Sequence, residues 1–185
     1  MQRFEKTPEP LNGMKILLVG DPHCGKLRTI LALIKCGRLI DISNRHHHKV
    51  YTFHYGFCPG KVISLYFPID NGVYIVNEEL LATVDVFVFC FAIDNHESFH
   101  SIERKWLPLM KEYLHYRNSI LVANKVDLRT CESVVKKKGW NPVSGKEARE
   151  MWKRQGFVAY EECSVAQKNV YQILRTAVDM VRNDL

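Results

Sequence analysis

Apolar residues in this chain fall in short continuous runs, separated by stretches where they recur at helical spacing. Lys15–Val19, Val84–Ile93 (broken by Asp85), Ser119–Asn124 and Val158–Glu162 read as buried strands. Between them, Gly25–Cys36, residues 97–116 and a segment opened by Ser144-Gly145-Lys146-Glu147 read as helices. The last of these has capping-box spacing and a stop at Gly156, while Pro108 predicts a kink in the second. Val50–Phe57 and Val62–Phe67, joined by Cys58-Pro59-Gly60-Lys61, predict an antiparallel hairpin. Val170, Leu174, Ala177 and Val181 mark one face of a terminal helix. Strands alternating with helices predict an α/β fold: a mostly parallel sheet with helices on both faces. Residues 1–13 read as a flexible extension and 14–185 as one domain.

Composition changes this picture little. At 46% apolar and 25% charged residues the chain is ordinary for a globular domain. No apolar run is long enough to span a bilayer, and no secretory pattern opens the chain. Six cysteines are scattered without framework spacing, so the reading is an intracellular, cytoplasmic protein without disulfides. The net charge of +6 has one dense source, Lys136-Lys137-Lys138, with no aromatic platform beside it, so no nucleic-acid partner is expected. The terminal Arg182-Asn183-Asp184-Leu185 offers no cysteine for prenylation, which leaves membrane association open.

The chemistry sits at strand ends. After the first strand, Gly20-Asp21-Pro22-His23-Cys24-Gly25-Lys26-Leu27 has the glycines and lysine of a phosphate-binding loop. Gly20 and Gly25 permit a tight turn that aims N–H groups at phosphate, and Lys26 adds charge. Leu27 stands where a hydroxyl normally binds Mg²⁺. At the end of a later strand, Asn124-Lys125-Val126-Asp127 suits guanine: the Asp127 carboxylate accepts from N1 and the 2-amino group, Lys125 covers the base, and Asn124 braces the loops. Glu162-Cys163-Ser164-Val165 follows the last strand and could present backbone N–H groups to guanine O6. The candidate nucleotide contacts are therefore His23, Cys24, Gly25, Lys26, Leu27, Arg28, Asn124, Lys125, Asp127, Ser164 and Val165, with no catalytic residue and no metal ligand assigned.

At these residues the chain resembles the small GTPases, specifically the Rho family, over Lys15 to Val181. Phe91, Ser98-Phe99, Lys105-Trp106, Pro108, Asp127-Leu128-Arg129 and Glu162-Cys163-Ser164 match Rho-type spacing. Tyr160–Gln167 is also similar to the GTPase domain of the RhoBTB proteins. The resemblance implies a six-stranded sheet, GTP or GDP as cofactor, protein partners in signal transduction, and switch loops that read the γ-phosphate. Residues 130–142 correspond to a shortened insert helix.

The departures gather on one side. Besides Leu27, the switch threonine falls at or near Arg45, and Asp-Thr-Ala-Gly-Gln becomes Phe67-Pro68-Ile69-Asp70-Asn71. The aromatic that flanks the base becomes Arg38. Asp70 and Gly72 substitute only through a local shift. Thr29 does not replace Leu27, because two helical residues rotate a side chain by roughly 200°. The expectation is a degenerate, pseudoGTPase-like interaction module, with nucleotide binding retained or vestigial, doubtful Mg²⁺ binding and weak or absent hydrolysis. A slow GTPase with a rearranged switch II and a nucleotide-free scaffold stand beside it. A zinc set drawn from His46, His47, His48, His54 and Cys58 fits no established spacing and is set against a solvated, mobile histidine loop. A Cys24–His23 nucleophile pair is disfavoured because neighbours in a tight turn rarely face each other.

Overall fold

The computed structural model describes residues 13–45, 48–55, 62–68, 78–114 and 118–183. The first strand, β1 (Gly13–Val19), alternates its side chains between two cores. Ile16 and Leu18 enter one, Leu17 and Val19 the other, and all four are buried. Helix α1 (Lys26–Leu33) follows, then a 3-10 turn at Ile34–Cys36. Strands β2 (Gly37–Arg45), β3 (His48–Tyr55) and β4 (Val62–Pro68) form an antiparallel meander that returns to β1. Beyond α2 (Glu78–Leu81), strand β5 (Val86–Ala92) pairs parallel with β1 on its other side. Strands β6 (Ser119–Asn124) and β7 (Ala159–Glu162) extend the sheet further.

The order is β2-β3-β4-β1-β5-β6-β7. Chain progression reverses beside β1, so the loop after β1 opens at the topological switch point, where α/β sheets bind ligands. The expected six strands become seven among the described residues, because residues 37–45 form a strand that the hydrophobic pattern does not reveal. The register shifts between Leu39 and Asp41, and this bulge breaks the two-residue alternation. As an edge strand, β2 also leaves Leu39, Ile40 and Ile42 more than 40% exposed.

One core layer lies under α1 and α7 (Tyr171–Asn183), with Ile30, Leu33, Ile173, Leu174 and Ala177 on the sheet. The other lies under the helical segment His96–Met110 and α6 (Gly145–Gln155), with Phe89, Phe91, Ile102, Trp106 and Met151. The segment divides into α3 (His96–Ser101), a π-helical turn (Ile102–Trp106) and α4 (Leu107–Met110). It ends before the expected residue 116. Pro108 would press its ring on the carbonyl four residues back, that of Arg104, and the wide π turn accommodates it. The remaining short helix, α5 (Glu132–Val135), is all that the insert region forms. Both capping-box bonds at Ser144 and Glu147 are made, and Gly156 caps α6 in the left-handed conformation.

The predicted hairpin is confirmed by continuous antiparallel pairing from His48↔Pro68 to His54↔Val62, while its turn lies outside the described residues. His48 corrects the picture of a mobile histidine loop: it is the first residue of β3 and is buried. His46, His47 and Cys58 lie outside the described residues, as does the extension before Gly13, where β1 begins.

Candidate functional site

The turn after β1 depends on two glycines. Gly20 has φ +142°, and a Cβ there would come within 2.1 Å of the Cys90 carbonyl oxygen. Gly25 has φ +96°, and its Cβ would meet Asn124 Nδ2 at 2.5 Å. Only a residue without a side chain fits either position without strain. Asp21 is held by Trp106, whose indole N–H donates to its carboxylate at 2.9 Å.

Lys26 opens α1 and is buried. Its ammonium donates to the carbonyls of Gly20 at 2.7 Å and Asp21 at 2.6 Å, with Cys24 Sγ at 3.5 Å. The Phe67 ring centroid lies 5.8 Å away, where the family resemblance implies a carboxylate. An ammonium has three donors: two go to these carbonyls and hold the lysine in place, and the third meets the weakly accepting Cys24 sulfur, which a phosphate oxygen would displace. Leu27, Arg28 and His23 point to solvent, Leu27 at 45% exposure. The Leu27 side chain has no oxygen to offer a cation, so the hydroxyl ligand that the family resemblance implies for magnesium is missing at this position.

His23 is exposed with φ +62°, whereas Cys24 is buried, so the two do not face each other as a nucleophile and base. Burial pushes the Cys24 thiol up, against the pull of the Lys26 charge. Thr29 is fully buried and hydrogen-bonded by Asn124, which puts its hydroxyl away from the phosphate side as the helical rotation predicts.

Asn124, at the end of β6, ties three loops together. Its Nδ2 donates to the Cys24 carbonyl and to Thr29 Oγ1, both at 3.0 Å. Its Oδ1 accepts from the Lys125 amide at 3.0 Å and lies 3.6 Å from Cys163 Sγ. Lys125 takes a left-handed backbone, and its ammonium spans both oxygens of Asp94 at 3.0 Å. Asp127 accepts a hydrogen bond from the Ser164 hydroxyl.

The loop after β7 is more fully bonded than its sequence suggests. The Ser164 amide donates to Asn169 Oδ1 at 2.8 Å, and the amides of Ala166 and Gln167 donate to Ser164 Oγ at 3.1 and 3.3 Å. The expectation that backbone N–H groups of Glu162-Cys163-Ser164-Val165 meet a base is narrowed, because the Cys163 amide donates to the Ala123 carbonyl and the Ser164 amide to Asn169; Val165 is 40% exposed. Below this loop, Arg129 Nη1 donates to Glu162 Oε2 at 2.6 Å, and Tyr160 donates to the same carboxylate at 2.6 Å. Burial raises Glu162, but the bonds from Arg129 and Tyr160 and the charges of Arg129 and Arg149 outweigh it and hold the carboxyl below its ordinary value.

The strand-end loops thus converge as the sequence predicts: β6 braces the phosphate-type loop, and the β7 loop bonds Asp127. The Ras family pattern matches residues 74–183, more than half of the chain. This chain belongs to the Ras family. Similar proteins carry Rho names. The Ras-like GTP-binding protein RHO1 of Entamoeba histolytica is 36% identical over 101 residues, 54% of this chain and 44% of that protein. GTP-binding protein RHO5 of Saccharomyces cerevisiae is 33% identical over 109 residues, 51% of this chain and 33% of that protein. The chain therefore spans less than half the length of each of these relatives. The Ras-family match includes Asn124, Lys125, Asp127 and Ser164 and begins after the glycine-lysine turn.

Sequence reasoning missed Asp94, Asn169 and the Trp106–Asp21 bond. Asn169 had a usable signal, an Asx residue shortly after a strand-end serine. Asp94 and Trp106 join the site through tertiary contact, with no local pattern to announce it. Asp70, Asn71 and Gly72 lie outside the described residues. Among the described residues no cluster of three or more His, Cys, Asp or Glu could hold a metal, and no helix is long and apolar enough to cross a membrane.

Proposed function

We propose that this Rho-like domain binds guanine nucleotide without a protein-supplied magnesium ligand at Leu27 and acts as a protein-interaction module, with weak or absent hydrolysis. The carrying observation is the contrast within one turn. Lys26 is buried and tethered to two carbonyls, with only a weakly accepting thiol at its third donor, while the next residue presents an exposed hydrocarbon. Charge stabilisation by metal and lysine is most of what phosphoryl transfer requires, and of these two the glycine-lysine turn supplies only the lysine.

On the base side, the Asp127 carboxylate, steadied by Ser164, is the selector for guanine, and the exposed Val165 is the position whose amide would reach O6. Lys125, clamped by Asp94, has its stem in line to lie along the base. On the phosphate side, residues up to Arg45 are committed to β2, pairing with β3 from Gly37↔Tyr55 to Arg45↔His48. A segment held in a sheet makes little differential contact with GTP and GDP, and a ligand without differential affinity cannot drive a switch. These features support a partner surface displayed whatever the nucleotide. The pairing of Lys26 with Phe67 in place of a carboxylate supports the same reading.

The test is to denature the purified protein and identify any released nucleotide, alongside Lys26→Ala and Asp127→Ala. The proposal expects guanine nucleotide from the parent and loss from both variants. Adenine nucleotide, or release unaffected by Asp127→Ala, would contradict it.

A further inference from the structure

Strand β2 is one edge of the sheet, nine residues long, against four for β7 at the other edge. Its pairing with β3 sorts its side chains. Leu39 lies opposite Phe53 and Ile42 opposite Tyr51, and both partners are buried in the core layer under α1 and α7. Residues three apart would fall on opposite faces of a regular strand, but the bulge between Leu39 and Asp41 brings Leu39 and Ile42 onto the same one. That face continues the core layer past its last buried residues, with Leu39 42% and Ile42 47% exposed. On the other face, Arg38 lies opposite His54 and Asp41 opposite Thr52, so two exposed, oppositely charged side chains share a side. Neither has an ion-pair partner among the described residues.

An exposed apolar edge strand is a template for another strand, and its charges decide which one it accepts. We propose that β2 pairs antiparallel with β2 of a second copy of this chain, about a two-fold axis through Leu39. With Ile40 left unpaired as the extra residue of the bulge, Leu39 packs on its symmetry mate, Arg38 of each copy faces Asp41 of the other, and Ile42 lies over Gly37, which has no side chain to obstruct it. The strand is self-complementary: one register satisfies both ion pairs and both apolar contacts at once. The contact is isologous, so it closes as a dimer instead of propagating. Pairing over about six residues gives a small interface, so the dimer is weak and concentration-dependent.

The test is sedimentation velocity on the full chain over a concentration series, with Arg38→Asp, Asp41→Arg and the double reversal. Each single reversal replaces two attractive cross-strand pairs by two repulsive ones and weakens association roughly tenfold or more. The double reversal restores both pairs and returns association to near the parent value. Circular dichroism and urea midpoints establish that each variant is folded, and Leu39→Lys provides a second disruption independent of the ion pairs. A parent chain that is monomeric up to about 1 mM overturns the proposal, including the case in which β2 accepts only a strand of another protein. Association that is indifferent to the single reversals, or that the double reversal fails to restore, also overturns it.

Discussion

Asn124→Ala removes the side chain that joins the phosphate-type loop, α1 and the base loop. Asn124 is 3% exposed and makes three hydrogen bonds of 3.0 Å, to the Cys24 carbonyl, Thr29 Oγ1 and the Lys125 amide. An ordinary bond contributes about 1 kcal/mol net, and a buried partner left unsatisfied costs about 1–3 kcal/mol. The Lys125 amide borders solvent and can recover a water, whereas the Cys24 and Thr29 oxygens are enclosed. The expected loss is therefore about 2–4 kcal/mol, a large share of the roughly 5–15 kcal/mol that holds a domain together. In a chain of this size that lowers Tm by roughly 6–12 °C. Urea unfolding of nucleotide-free protein measures it directly, since bound ligand would stabilise the parent selectively. Asn124→Asp keeps the acceptor but turns an oxygen towards the Cys24 carbonyl, and is expected to cost at least as much. A loss below about 1 kcal/mol at unchanged m-value would refute the bracing role.

Gly25→Ala should cost more in the parent than in Asn124→Ala. The new Cβ meets Asn124 Nδ2 at 2.5 Å, so removing that group leaves only the strain at φ +96°, about 1–2 kcal/mol. A double-mutant cycle should give a coupling of about 1 kcal/mol or more, and strict additivity would contradict the packing. Glu162 predicts an acid-sensitive loop. Its carboxyl is held below the ordinary value of 4.5, so its stabilisation is complete above that value and fades as pH falls through the lowered one. The stability gap between parent and Glu162→Gln should shrink below about pH 4.5, and a constant gap would show that the Arg129 pair contributes nothing. For the thiols, burial pushes Cys163 up to about 12 and raises Cys24 and Cys90 as well. Thiol-specific labelling should modify the half-buried Cys131 and spare these three until denaturant is added. Equal labelling rates for Cys163 and Cys131 would count against the packed floor of the site.

Strand ends and the glycine-lysine turn were legible because backbone chemistry is local: φ above zero needs glycine, and a buried parallel strand needs an unbroken apolar run. The capping box of α6 was legible for the same reason. Strand β2 was not, because Arg38-Leu39-Ile40-Asp41-Ile42 mixes its faces through a bulge and exposes its apolar residues at an edge. The identities of Asn124, Asp127 and Ser164 announced a base site, but the occupied Ser164 amide depends on how Asn169 folds back. The clamp of Lys125 by Asp94 joins residues 31 apart in the chain. Such contacts are set by packing of whole elements.

As proposed, Lys26, the loop amides and Asp127 hold nucleotide without metal-dependent sensing of the γ-phosphate. Calorimetric titration of nucleotide-free protein with GDP and with GTP, each in Mg²⁺ and in EDTA, tests it most directly. Both nucleotides are expected to bind at similar affinity, little changed by EDTA and greatly weakened by Lys26→Ala. A strong preference for GTP that appears only with Mg²⁺ would contradict it.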